Sequence, residues 1–162
     1  MRQFWLNDRS DGTAIPLAFS SVFLRLALGF SFLSAVADRF GLWGAFGEPH
    51  VAWGTFARFV AYTGELNWFV PRPIVPTLAI VATSAETVLG FLLVVGWKTQ
   101  VTAVASGALL LLFAFTMTGA LGIKAPLDAP VFSAAAGAFL LASCGEYPFS
   151  IDQARRDSAR HA

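Results

Sequence analysis

The run from Ile74 to Trp97, IVPTLAIVATSAETVLGFLLVVGW, constrains this chain more than any other stretch. At about 1.5 Å rise per residue it is long enough to cross a hydrocarbon core of roughly 30 Å. Its one charged side chain, Glu86, sits near the midpoint. A carboxylate at that depth costs on the order of 2.5–3.5 kcal/mol on insertion scales. It therefore requires a partner, a proton or a water-filled cavity, and the rest of the chain is read for what supplies one.

Three further apolar runs accompany it. Of 162 residues, 56% are hydrophobic and 13% charged, against about 25% charged in a soluble domain. Mean hydropathy is +0.64. These values point to an integral membrane protein with the lipid bilayer as its surroundings. The net charge of +1 gives no footprint for nucleic acid. The fold class expected is all-α, a bundle of four transmembrane helices over residues 16–37, 74–97, 101–121 and 126–143. A polar segment 1–15 precedes the membrane domain 16–145, and a polar, basic tail 146–162 follows it, with Ser150 as a candidate cap for a short helix.

Residues 38–73 form a long connection between the first two spans. It carries Trp43, Phe46, Trp53, Phe56, Phe59, Tyr62, Trp68 and Phe69 among several glycines and prolines. Helical spacing of Trp53, Phe56, Ala57 and Val60 predicts a short amphipathic helix over Val51–Tyr62, lying at the membrane surface where aromatic side chains gather. A lid over a cavity among the spans is the alternative.

Four crossings place both termini on one side. That side holds Arg2, Arg9, Lys98, Arg155, Arg156 and Arg160, the other Arg39, Arg58, Arg72 and Lys124. The excess of cations puts the termini in the cytoplasm and the protein in the inner membrane. Ala35-Val36-Ala37 has the look of a signal-peptide cleavage site, but the apolar run before it is longer than a usual signal core and contains Arg25, so the first helix is retained. Cys144 stands alone, which excludes an intrachain disulfide and a cysteine-held iron–sulfur cluster. His50 and His161 lie outside the apolar runs, which excludes a bis-histidine haem within the bundle. No metal site is expected.

Helices in lipid pack through small residues. Ala79, Ala82, Thr83 and Gly90 share a face with Glu86, so Glu86 should point into the bundle. Gly29, Phe32 and Arg39 continue the face of Arg25 in the first span, and Ser31, Ser34 and Asp38 form a second polar stripe there. Arg25 and Glu86 both lie near the middle of antiparallel neighbours, so a salt bridge between them is expected. The pair either holds the two helices in register or borders a polar pocket. Ser34, Asp38, Thr83 and Thr116 lie toward the outer side, beneath the connection and Trp53, and are candidate ligand-binding residues. Serine and threonine hydroxyls can equally be satisfied on their own helix.

Arg25-Leu-Ala-Leu-Gly29 in the first span, and Glu86 with Gly90 and Gly96 in the second, resemble the DoxX/DoxD-type four-helix membrane proteins. The resemblance spans roughly residues 17–145. The family's basic residue at the end of the first helix is matched by Arg39, with Asp38 beside it, whereas the second glycine of that helix is replaced by Ala35 or Val36. The resemblance implies a redox-associated membrane subunit, of the thiosulfate:quinone oxidoreductase kind, that meets a quinone in the bilayer. Arg25, Thr83, Trp53 and a protonated Glu86 would donate to the quinone carbonyls, with Arg25 and Glu86 the candidate catalytic pair.

Three readings compete. The first is that quinone-linked subunit. The second is a non-catalytic accessory subunit of a larger membrane complex, or a homo-oligomer, with charges that only set register. The third is a small-solute transporter, which the absence of inverted repeats or broken helices disfavours.

Overall fold

In a computed structural model, which describes residues 17–160, the large apolar side chains face outward and many polar ones face inward. Phe19, Phe23, Phe30, Ile80, Val81, Phe91, Val101, Leu112 and Phe115 are exposed, while Ser21, Arg25, Arg39, Thr83, Glu86, Thr102 and Ser106 are buried. A water-soluble domain has the reverse arrangement. Three helices are long and apolar enough to cross a membrane: α1 (Leu17–Arg39), α3 (Val75–Val95, preceded by the 3-10 turn Arg72–Ile74) and α4 (Thr99–Leu121). Between α1 and α3 lies α2 (Phe56–Leu66). The remaining elements are α5 (Lys124–Asp128), α6 (Val131–Ser143) and α7 (Ile151–Arg160), and every element among the described residues is helical. The segment 1–15, Pro16 and His161 lie outside the described residues.

The expected fourth span over 126–143 is interrupted. Pro130 lacks the N–H that would continue the helix, and its ring would collide with the carbonyl four residues back. The chain turns there, leaving α6 with 13 residues, about 20 Å of helix. The first span runs two residues further than expected, so Asp38 and Arg39 end α1 as helical residues.

Two contacts dominate the packing, α1 on α3 and α4 on α6. At the first, Gly29 and Gly90 let the backbones close. A Cβ on Gly29 would stand 3.0 Å from the Gly90 carbonyl oxygen, and one on Gly90 would stand 3.0 Å from that of Gly29. At the second, Gly107 lies under the ring of Phe139, where a Cβ would meet ring carbons at 2.8 Å. Leu28, Phe32, Leu93, Ala103, Ala138 and Leu141 form the apolar core between these layers.

The connection helix begins later than its periodicity predicts, at Phe56 and not Val51. Residues 52 and 53 are held by Asp38, and Gly54 takes a left-handed turn (φ +66°) before Thr55 caps α2. Its buried face is consequently Phe59 and Thr63. At the other end of the chain Ser150 caps α7, its hydroxyl accepting from the Gln153 amide at 3.0 Å.

Candidate functional site

The partner of Glu86 is Arg39. Arg39 Nη2 donates to both carboxylate oxygens of Glu86, at 2.8 and 2.7 Å, and Nη1 donates to the Thr83 hydroxyl at 2.8 Å. The two charged side chains are 3% and 2% exposed. The Arg39 guanidinium carbon lies 3.6 Å from the centroid of the Phe59 ring and 5.3 Å from that of Trp53. Cation–π contact of this kind strengthens as water is removed. Because a single nitrogen serves both carboxylate oxygens, Arg39 Nε is left buried with no partner.

Asp38 builds the cover. Its Oδ2 accepts from the amides of Ala52 and Trp53 at 3.2 and 2.9 Å. This pins the connection to the end of α1 and brings Trp53 over Arg39. Trp53 meets Phe59 edge to face at 5.2 Å and Tyr62 at 6.0 Å, and Phe40 stacks on Phe56 at 5.8 Å. Asp38 Oδ1 is buried without a partner. Trp53 and Phe59 of the connection are therefore packed over the charged pair, while Trp43, Phe46, Trp68 and Phe69 stay exposed.

The expected Arg25–Glu86 bridge is not formed, and the register explains why. Gly29 faces Gly90 across antiparallel helices. Arg25 is four residues from Gly29 in one direction, and Glu86 four residues from Gly90 in the other. The two groups are thus about 12 Å apart along the bundle. Arg39, at the end of α1, reaches back because helix side chains lean toward the N-terminus. Arg39 lies on the face that Arg25, Gly29 and Phe32 define, so the sequence carried the signal. Phe59 as the closest ring was legible only as one of many aromatics.

Arg25 closes the opposite end of the bundle. Its Nη2 donates to the Phe149 carbonyl at 2.8 Å, while Nε and Nη1 have no partner. Phe149 adopts a left-handed backbone (φ +51°). Arg25 Nη1 packs on Gly96, whose own left-handed turn (φ +69°) ends α3. Next to it the Asp152 carboxylate accepts from the amides of Lys98 and Thr99, at 2.8 and 2.7 Å, which caps α4, and the Asp152 amide donates to the Gly96 carbonyl at 3.1 Å. Partial burial works to raise the Asp152 carboxyl, but hydrogen bonds from Thr99 and Lys98 outweigh it and hold the group below the ordinary aspartate value.

Of the residues singled out from sequence, Glu86, Thr83, Asp38 and Trp53 converge on one site, joined there by Arg39 and Phe59. Ser34 is exposed, and its carbonyl accepts from the Trp43 indole at 3.1 Å. Thr116 spends its hydroxyl on its own helix, donating to the Phe113 carbonyl at 3.0 Å. Neither has a hydrogen bond to the pair among the described residues. Arg25 belongs to the other end. No protein-family model matches the chain, and no curated protein or solved structure matches it either.

Proposed function

We propose that this chain is a DoxX/DoxD-like integral membrane protein of four crossings with cytoplasmic termini. In this reading it serves as a redox-associated subunit, and a quinone meets it at the Arg39–Glu86 pair. The outward apolar belt and three spanning-length helices support the membrane assignment. The α5–α6 segment supplies the fourth crossing. The observation that carries the site is the unpartnered, buried Arg39 Nε beside an ion pair walled by Trp53 and Phe59. Ionisable groups inside a membrane domain mark functional sites by default. A donor without an acceptor in dry surroundings asks for a carbonyl oxygen.

The side chains here are of the kind a quinone headgroup takes, and seating one would require the aromatic cap to move aside. Arg39 Nε and the Thr83 hydroxyl offer donors, and the two rings offer flat apolar walls. A quinone supplies a two-electron, two-proton acceptor when bound. Arg39 orients the carbonyl, Glu86 balances the guanidinium and can hold a proton, and the aromatic cap keeps water out.

The second reading is an accessory subunit in a larger membrane complex. One observation favours it: both Glu86 oxygens are already engaged by Arg39, which closes the pair on itself. The two readings separate on purification in mild detergent followed by solvent extraction. Quinone that co-purifies with wild type, and is lost in Trp53→Leu and Thr83→Val while the thermal melt is retained, supports the first. Absence of quinone together with a stoichiometric protein partner on native gels supports the second.

A further inference from the structure

A groove of about 290 Å³ opens at the Arg25 end, between the α3–α4 turn and α7. Lys98, Arg155 and Arg156 line it, together with the first turn of α4 at Gln100 and Val101. Its one lining carboxylate, Asp152, is turned onto the amides of Lys98 and Thr99. Arg156 is held at the rim by the Gly145 carbonyl, 3.2 Å away. Beneath it lies Arg25, a guanidinium with no carboxylate within ion-pair distance among the described residues. Glu146 and Asp157 line an adjoining depression that shares Tyr147 and Arg156 with the groove.

The depth of this groove in the membrane is set by its neighbours. Trp97, Phe149 and Ile151 are 37%, 88% and 42% exposed around it. Lys98 folds over the Trp97 ring, 5.3 Å from its centroid. Exposed aromatic and apolar side chains next to cations are the pattern of a segment lying at the headgroup layer, with rings in the acyl boundary and charges at the phosphates. Phe149 exposes its ring while its carbonyl accepts from Arg25 Nη2, so the same residue ties the tail to the bundle and offers a membrane anchor.

We propose that this groove binds the phosphate of an anionic phospholipid headgroup, with Lys98, Arg155 and Arg156 as its ligands and Phe149 and Ile151 beside the acyl chains. The juxtaposition of three cations, an interfacial aromatic and a spanning helix end makes the site. It rests on the membrane reading of the chain but not on the quinone reading, because the groove lies at the α3–α4 turn and the Arg39–Glu86 pair mid-way along α3.

The test is native mass spectrometry of the full chain in detergent, titrated with phosphatidylglycerol or phosphatidylcholine. Wild type should retain phosphatidylglycerol preferentially. The double variant Arg155→Gln, Arg156→Gln should lower that preference roughly thirtyfold, as loss of two interfacial cations implies. Arg72→Gln, an exposed cation of the other end, should leave it unchanged. Both positions of the double variant are on an exposed helix face, so the thermal melt should hold. Equal retention of the two lipids, or a preference untouched by the double variant, overturns the proposal. So does inorganic phosphate that displaces the lipid at equal concentration, since the site would then take a free anion. A wild type that shows no lipid preference while its spans still insert in vesicles rejects the groove alone, whereas failure to insert rejects the membrane reading.

Discussion

The two arginines that α1 buries are solved differently. Arg39 meets a full counter-charge, a hydroxyl and two aromatic rings. Arg25 meets one backbone carbonyl, with Asp152 nearby but occupied by amides of α4. The first arrangement ties span to span. The second ties the tail to the bundle through a single neutral acceptor, beside the turn that ends α3. The lesson is one of completeness: both guanidiniums are buried, but only Arg39 has a counter-charge, while Arg25 keeps Nε and Nη1 without a partner.

The largest effect tests the first arrangement. Arg39→Met or Glu86→Gln alone should cost about 3–5 kcal/mol, because each leaves the partner buried and unpaired. The double variant Arg39→Met, Glu86→Leu should recover most of that loss, read as the thermal midpoint in detergent. Costs that simply add would mean that the pair is not one unit.

A smaller effect should follow at the other end. Gly96→Ala drives a Cβ into Arg25 Nη1 in a left-handed turn, and overpacking of this kind costs about 1–3 kcal/mol. Hydrogen exchange should show the loss concentrated in residues 147–160 and not at Trp53. Equal loosening at both ends would erase the contrast drawn between them.

The smallest effect is on the tail itself. Asp152 is held below its ordinary value, so its docking contribution is present above the unfolded carboxylate range and fades as pH falls through the folded value. Protease cleavage at Arg155 or Arg156 should accordingly quicken as the solution is acidified and stay slow at neutral pH. Asp152→Asn should remove this pH dependence and cost about 1 kcal/mol or less, as for the loss of a cap.

Much of this was legible in the chain. The apolar runs marked α1, α3 and α4, and the small-residue stripe through Ala79, Thr83 and Gly90 put Glu86 inside. Ser150 announced its helix. The partner of Glu86 was hidden because depth along antiparallel helices follows from register, and that register rests on backbone contact at Gly29 and Gly90, which periodicity does not encode. The start of α2 was hidden for a related reason: the Asp38 carboxylate takes the amides that would have opened it at Val51, a long-range bond that outranks local pattern. The cut at Pro130 was visible as a residue, but an apolar run on both sides of it reads as one span.

That cut leaves α6 with 13 residues, some 10 Å short of an ordinary hydrocarbon thickness. If α6 is the proposed fourth crossing, the leaflets pinch toward one another along it or α5 makes up the deficit. Hydrophobic mismatch of this kind costs fractions of a kcal/mol per ångström and accumulates over the shortfall. On the proposed four-crossing reading, the flank formed by α6 therefore favours thin membranes, and it is where a neighbouring helix of fuller length would relieve the most deformation.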